Sequence, residues 1–373
     1  IILSVFLYYR ISAFVDWAHA LLVTLNIVDN KKFNIIDRFV DVKVTYKEYS
    51  FPGETIPVKI FTTGNKKKMP AILVAHGLAP DGYNDSRLTQ FARSLAKTGA
   101  VVFLPNFSYM QNVRIKPVTA KKMQFLFDRM CELPYVDKNR AGFFPISYAG
   151  GPGTMAFSES PYNEKTRYII YLGGDYQLSQ VLVFGLSGKS RFNGHVYSTE
   201  PSRWGRWYYL LSNLEYVENA EDRKHLFSIA ETKRRYPWYD VSETEKKLTA
   251  AGKKLLEMIK HTDPEKIMKL IRKQNENFRN TLKIMSPAHY IHGLAKTKVF
   301  LLHASNDPLV PYTESLYFYQ AMKKAGGKPS LTIINALEHV DMIKKSFTLK
   351  NILSFYLPEL IKMTNVVYEI IRT

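Results

Sequence analysis

The chain has 373 residues, with 52 Lys and Arg against 33 Asp and Glu and a formal net charge of +19. Its 46 % hydrophobic and 23 % charged content is that of a globular protein with a sizeable core, which excludes a disordered tail, a collagen-like chain and a fibrous protein. Cys131 is the single cysteine, so neither an intrachain disulfide nor a cysteine-based zinc cluster can form. The length suits one large domain or one domain carrying an insertion. A basic balance is the electrostatic footprint of a nucleic-acid binder. Here the basic residues are spread over the whole chain, and the clusters Lys66-Lys67-Lys68 and Lys233-Arg234-Arg235 read as solvated turns or helix faces, so no nucleic-acid partner is expected.

Residues 1–30 open the chain with a mostly apolar stretch, Ile1 to Val28, long enough for a bilayer at about 20 residues per span. Arg10, Asp16 and His19 interrupt it, and an Arg or Asp costs roughly 2.5–3.5 kcal/mol at mid-bilayer. The expected element is a membrane-associated or interfacial helix, with Asn30-Lys31-Lys32 suited to an anionic headgroup layer. The alternative is an amphipathic helix docked on the protein body. The corresponding locations are a membrane surface or the cytoplasm.

Short alternating and continuous apolar runs follow. Val42 to Tyr49 and Ile56 to Thr62 read as strands joined through Phe51-Pro52-Gly53. Ala71 to Ala75 and Ala100 to Leu104 are continuous apolar runs of the kind buried on both faces of a sheet, with a helix from Ser86 to Lys97 between them. Then come a helix from Ala120 to Cys131, a strand from Ala141 to Ile146, a helix from Ser147 to Phe157 and a strand from Arg167 to Leu172. Lys298 to His303 and Leu331 to Asn335 are strands flanking a helix from Thr313 to Lys324, and Ile343 to Ile371 reads as helix with a break at Pro358. This alternation predicts an α/β fold with a mostly parallel central sheet flanked by helices. About 120 residues separate Leu172 from Lys298, far more than a crossover of a dozen or so needs. Residues 31–175 and 286–373 are therefore expected to form the core, with 176–285 as a large helical insertion.

The sequence Gly142-Phe143-Phe144-Pro145-Ile146-Ser147-Tyr148-Ala149-Gly150-Gly151 runs a buried strand directly into a serine, small residues and a helix. The chain must turn sharply at Ser147, which exposes the hydroxyl and aims the first helical N–H groups at an incoming oxyanion. Here the chain resembles the α/β-hydrolase superfamily, in its dienelactone-hydrolase-like and serine esterase/acyl-peptidase-like branches. The usual elbow, G-x-S-x-G, departs at Pro145 and Ala149. That resemblance implies a Ser, acid, His order and places the acid at Asp307, in Lys298 to Pro311, and the base at His339, in Leu331 to Asp341. Asp175 and Asp341 are alternative acids, and His303 at a strand end reads as structural.

The resemblance further implies an oxyanion hole from the backbone amides of Tyr148 and Leu78, the latter in His76-Gly77-Leu78-Ala79, with His76 bracing that loop. The insertion falls where the superfamily places a cap. Its Trp204, Trp207 and Tyr208, together with His76, are the candidate substrate-pocket residues, against the plain reading of a Trp or Tyr as the core of the insertion. The implied activity is a serine hydrolase, most readily a carboxylic-ester hydrolase, taking a small-molecule acyl substrate through an acyl-enzyme, with no metal and no cofactor. The competing expectation is a non-catalytic membrane-associated scaffold on the same fold.

Overall fold

A computed structural model describes residues 2–29, 31–64, 68–203, 205–343, 345–346 and 348–372, the first nine of these by backbone alone. Lys66, Lys67 and the pocket candidate Trp204 lie outside the described residues. Eight strands form the central sheet: β1 (Lys43–Phe51), β2 (Glu54–Thr62), β3 (Met69–Ala75), β4 (Val101–Pro105), β5 (Val136–Pro145), β6 (Tyr168–Leu172), and, after a hairpin β7 (Lys189–Phe192) and β8 (His195–Ser198) outside the sheet, β9 (Lys298–Ala304) and β10 (Ser330–Ile334). Their order is β1-β2-β4-β3-β5-β6-β9-β10. The first two strands pair antiparallel, β2 pairs antiparallel with β4, and every later pairing in the sheet is parallel.

The apolar runs behave as strands covered on both sides. Within β3 and β4, Leu73 and Phe103 face one core with Phe127, Phe143, Phe157 and Phe318. Ile72, Val74, Val102 and Leu104 face the other, with Leu95 and Ile370. Helix Gly150–Phe157 packs so closely on β5 that a Cβ on Gly153 would lie 2.3 Å from the Phe143 ring. A parallel sheet of this kind gathers the loops after its strands along one edge, which is where such folds carry their sites.

Two expectations need correction. The insertion is helical over Leu178–Ser187, Gly205–Asn213, Ala220–Arg235, Ala250–Lys260, Pro264–Arg272 and Glu276–Ile284, but it also holds the β7/β8 hairpin. Phe192 pairs with His195 across a two-residue turn, Asn193-Gly194, both at positive φ, and that dipeptide is the turn that matches strand twist. The C-terminal stretch becomes helical at Leu349, where Thr348 accepts the Asn351 N–H, and not at Ile343. Pro358 does not break it: the π turn Ile352–Tyr356 runs directly into Leu357–Arg372, and such a widened turn absorbs the N–H and clearance a proline lacks.

The N-terminal helix, Ile2–Val28, lies against helices Ser86–Ala96 and Leu357–Arg372. Three polar groups in its second half have partners on the body. Trp17 Nε1 donates to Asn365 (3.1 Å), His19 Nε2 to the Lys97 carbonyl (2.8 Å), and Asn26 Oδ1 accepts from Ser94 Oγ (2.7 Å) and Lys97 Nζ (2.8 Å). Lys97 is buried and also pairs with Asp37. Ile11–Val28 is long and apolar enough to cross a membrane, yet these contacts fit the docked alternative for that half. Ile11, Phe14 and Val15 remain exposed.

Candidate active site

The loops after β3, β5, β9 and β10 converge at the carboxyl edge of the sheet. Pro145 closes β5 opposite Ala75, and the next residue, Ile146, donates its N–H to the Ala75 carbonyl (3.0 Å), so the proline costs the ladder nothing there. Ser147 then takes a positive φ of 55°, strained for a residue with a Cβ, before the turn Ser147–Ala149 opens the helix Gly150–Phe157. The partly exposed Ser147 faces the loop after β3. A Cβ on Gly77 would lie 3.1 Å from Ser147 Cβ and 3.6 Å from its Oγ, so a side chain there would press on the serine.

His339 sits at the tip of a second tight turn, with a φ of 54°. Leu337 pairs with Met342 and Glu338 with Asp341, leaving His339 and Val340 as the two-residue loop. Its Nδ1 donates to Asp307 Oδ2 at 2.6 Å. The other Asp307 oxygen accepts the N–H groups of Leu309 and Val310, both at 2.9 Å, so every described contact holds the carboxylate in place. Burial would push the Asp307 carboxyl up, but His339 and His303 beside it win and hold it well below the usual range. Burial pushes His339 down and Asp307 pushes it up further, so the imidazole is raised above its ordinary 6.5. Gly173, with φ +62°, closes over the pair: a Cβ there would lie 3.4 Å from both Asp307 Oδ2 and His339 Nδ1.

Neither alternative acid is hydrogen-bonded to His339 among the described residues. Asp341 is gripped by Arg87 Nη1 at 2.7 and 2.9 Å, and Arg87 also bonds Asp85, the cap of helix Ser86–Ala96, which ties the His339 hairpin to that helix. Asp175 is buried beside Glu314, with no hydrogen-bond partner on either oxygen among the described residues, and burial and Glu314 push its carboxyl well up. His303 is structural, bonded to the Val310 carbonyl (2.9 Å) and Ser315 Oγ (2.7 Å). His76 is buried, its Nε2 accepting the Phe107 N–H (3.0 Å) while Nδ1 donates to the Gly77 carbonyl (2.8 Å). Burial pushes it down to about 4, so it is a neutral brace for the loop.

A cavity of about 1510 Å³ opens on Ser147 and His339, and Tyr148, Leu78, His76 and Tyr208 also line it. Trp207 is buried in the core of the insertion and is absent from that lining, which corrects its assignment to the pocket; its large apolar ring packs where the insertion needs volume. Among the described residues no group of three or more His, Cys, Asp or Glu side chains could hold a metal ion. The sequence reading did not single out Gly173, Arg87 or Glu314. Gly173 could have been found, since a glycine pair directly after a strand signals a close approach; the other two carry no local signal.

The fold is that of the α/β-hydrolase superfamily. Residues 253–357, which hold Asp307 and His339, match the prolyl oligopeptidase family. Over 87 % of its length the chain superposes on 38 % of a puromycin-hydrolysing peptidase from Mycobacterium tuberculosis, with a TM-score of 0.50 and 12 % identity. It superposes on 41 % of the Pyrococcus horikoshii acylaminoacyl peptidase (90 % of this chain, TM-score 0.49, 15 % identity). It also superposes on 36 % of Porphyromonas gingivalis dipeptidyl peptidase 4 (88 % of this chain, TM-score 0.47, 12 % identity). The chain thus spans about two-fifths of the length of these proteins. No curated protein matches it in sequence.

Two measurements follow from this electrostatic arrangement. As the base that the resemblance implies, His339 must be neutral to accept a proton, so kcat/KM should rise with pH through an apparent pKa above 6.5, and Asp307→Asn should lower both that pKa and kcat, the latter by about 10⁴; an unshifted profile would contradict the pairing. Glu314 is buried, and although the Tyr176 and Gln177 N–H groups bond it, burial pushes it up to about 7 from 4.5. The folded state therefore holds the proton longer than the unfolded chain does, so stability falls as pH rises from about 4.5 and levels off above about 7, by roughly 3 kcal/mol. In denaturant titrations Glu314→Gln should stabilise the protein at pH 8 by about 1–3 kcal/mol and leave it unchanged near pH 4. Equal effects at both pH values would refute this.

Proposed function

We propose that the protein is a serine hydrolase that cleaves an ester, thioester or amide through an acyl-enzyme. The observation that carries this reading is that a strained Ser147 opens on the same cavity as His339, whose Nδ1 is fixed on the buried Asp307 at 2.6 Å. Ser147 Oγ attacks the acyl carbonyl carbon as its proton passes to His339 Nε2, and Asp307 stabilises the imidazolium. The carbonyl electrons move onto oxygen, which the amides of Tyr148 and Leu78 receive. Collapse expels the leaving group, which takes the proton from His339. Water, deprotonated by the same imidazole, then releases the acid and restores Ser147.

The triad and hole do not discriminate between an ester and an amide, because both pass through the same tetrahedral oxyanion. The family matched over residues 253–357 is one of peptidases, which puts an amide bond on an equal footing with the carboxylic ester expected from the sequence.

A fluorophosphonate probe followed by peptide mapping tests this reading. The adduct should fall on Ser147, and Ser147→Ala should lose both the adduct and turnover of a p-nitrophenyl ester while keeping the wild-type melting temperature. Turnover at the wild-type rate in Ser147→Ala would overturn the assignment, and an unlabelled, folded wild-type protein would favour the non-catalytic scaffold.

A further inference from the structure

The cavity over Ser147 reaches in two directions that differ in chemistry. Under the insertion it meets Asp175 and Tyr148, whose buried carboxylate oxygens and hydroxyl have no hydrogen-bond partner among the described residues, together with the amide of Asn213. The other arm passes between helices Ser86–Ala96 and Leu357–Arg372 and is roofed by the second half of the N-terminal helix. Ile27, Phe91, Leu95, Met363, Val366 and Ile370 line it. Of the polar groups beside them, Thr24 donates to the Ala20 carbonyl (2.8 Å) and Gln90 to Ser94 Oγ (3.0 Å), while the charged Asp29 and Lys31 lie just past the end of the roofing helix. Leu95, Val366 and Ile370 are each under 10 % exposed, so little of this wall faces open solvent.

A wall built of these apolar side chains disfavours a peptide chain, because each peptide group drawn against it would lose its water without a replacement, at a cost of about 1–3 kcal/mol. A hydrocarbon chain meets no such penalty and gains from every buried methylene. We propose that this arm holds the acyl chain of the substrate, so that the enzyme acts on compounds with a medium or long aliphatic acyl group and the leaving group lies on the polar side under the insertion. The assignment rests on Ser147 as the nucleophile. The roof is the helix whose outer residues Ile11, Phe14 and Val15 stay exposed, so the chain site and the apolar outer surface belong to one element.

The test uses a series of p-nitrophenyl esters from acetyl to decanoyl, kept below their micelle concentrations, on the wild type and on Ile27→Trp and Val366→Phe, which fill the slot. Burial of a methylene is worth up to about fourfold, so kcat/KM should climb at least about 100-fold along the series in the wild type. The decanoyl to acetyl ratio should fall at least tenfold in each variant. A flat or falling series from an enzyme that turns over the acetyl ester, or a ratio unmoved by both substitutions, would overturn the proposal. A second readout does not need turnover: a fluorescent polyene fatty acid should bind Ser147→Ala saturably, and Ile27→Trp added to that variant should weaken binding at least tenfold. Absence of saturable binding overturns the acyl slot, whereas saturable binding without turnover or phosphonate adduct overturns the nucleophile and leaves the slot standing.

Discussion

The hydrogen bond from His339 Nδ1 to Asp307 Oδ2 is the contact on which the remainder of the site depends. It joins two loops that follow neighbouring parallel strands, and the surrounding contacts exist to keep both ends in place. Two amides and His303 fix the carboxylate. A tight hairpin fixes the imidazole, and Arg87 ties that hairpin to the helix Ser86–Ala96. Gly173 lies against the pair at a positive φ that favours a residue without a side chain. Buried charge of this kind is costly unless every lone pair is engaged, and Asp307 meets that condition where Asp175 does not.

The backbone bears its share of the same constraint. Ser147 and His339 both stand at positive φ, which the flanking strand ends and turns enforce. Strain in residues with a Cβ persists only where surrounding structure over-determines it. The Gly77 backbone above Ser147 and the neutral His76 beneath that loop complete the arrangement without adding charge near the serine. Asp175, which lines the polar side of the cavity, and Glu314 behind it are both buried carboxyl groups that burial pushes up from their ordinary values.

Much of this was legible in the sequence, for identifiable reasons. Continuous apolar runs such as Ala71 to Ala75 can be little else than strands covered on both faces, and Ser147 directly after one had to lie at a turn. Asp307 and His339 were legible through resemblance, since nothing local separates them from a turn aspartate and a loop histidine. Where local and long-range signals part, the reading failed. Asn193-Gly194 is a hairpin signal that the helical composition around it obscured. Pro358 reads as a breaker on local grounds, but a π turn before it removes the conflict. Trp207 reads by its type as a pocket wall, but it is buried in the apolar core. The partners of His19 and Asn26 lie some 70 residues away, so a segment that reads as an interfacial helix is half docked on the body.

The central claim is that one oxyanion site is assembled between two separate loops beside an activated serine, and a crystal structure of the phosphonate-treated protein tests it most directly. The account predicts phosphorus bonded to Ser147 Oγ, with a phosphonyl oxygen about 2.7–3.1 Å from the amides of both Tyr148 and Leu78 and His339 Nε2 turned toward the serine oxygen. A Ser147 adduct whose phosphonyl oxygen lies away from both amides, or a bond to any other residue, would contradict it.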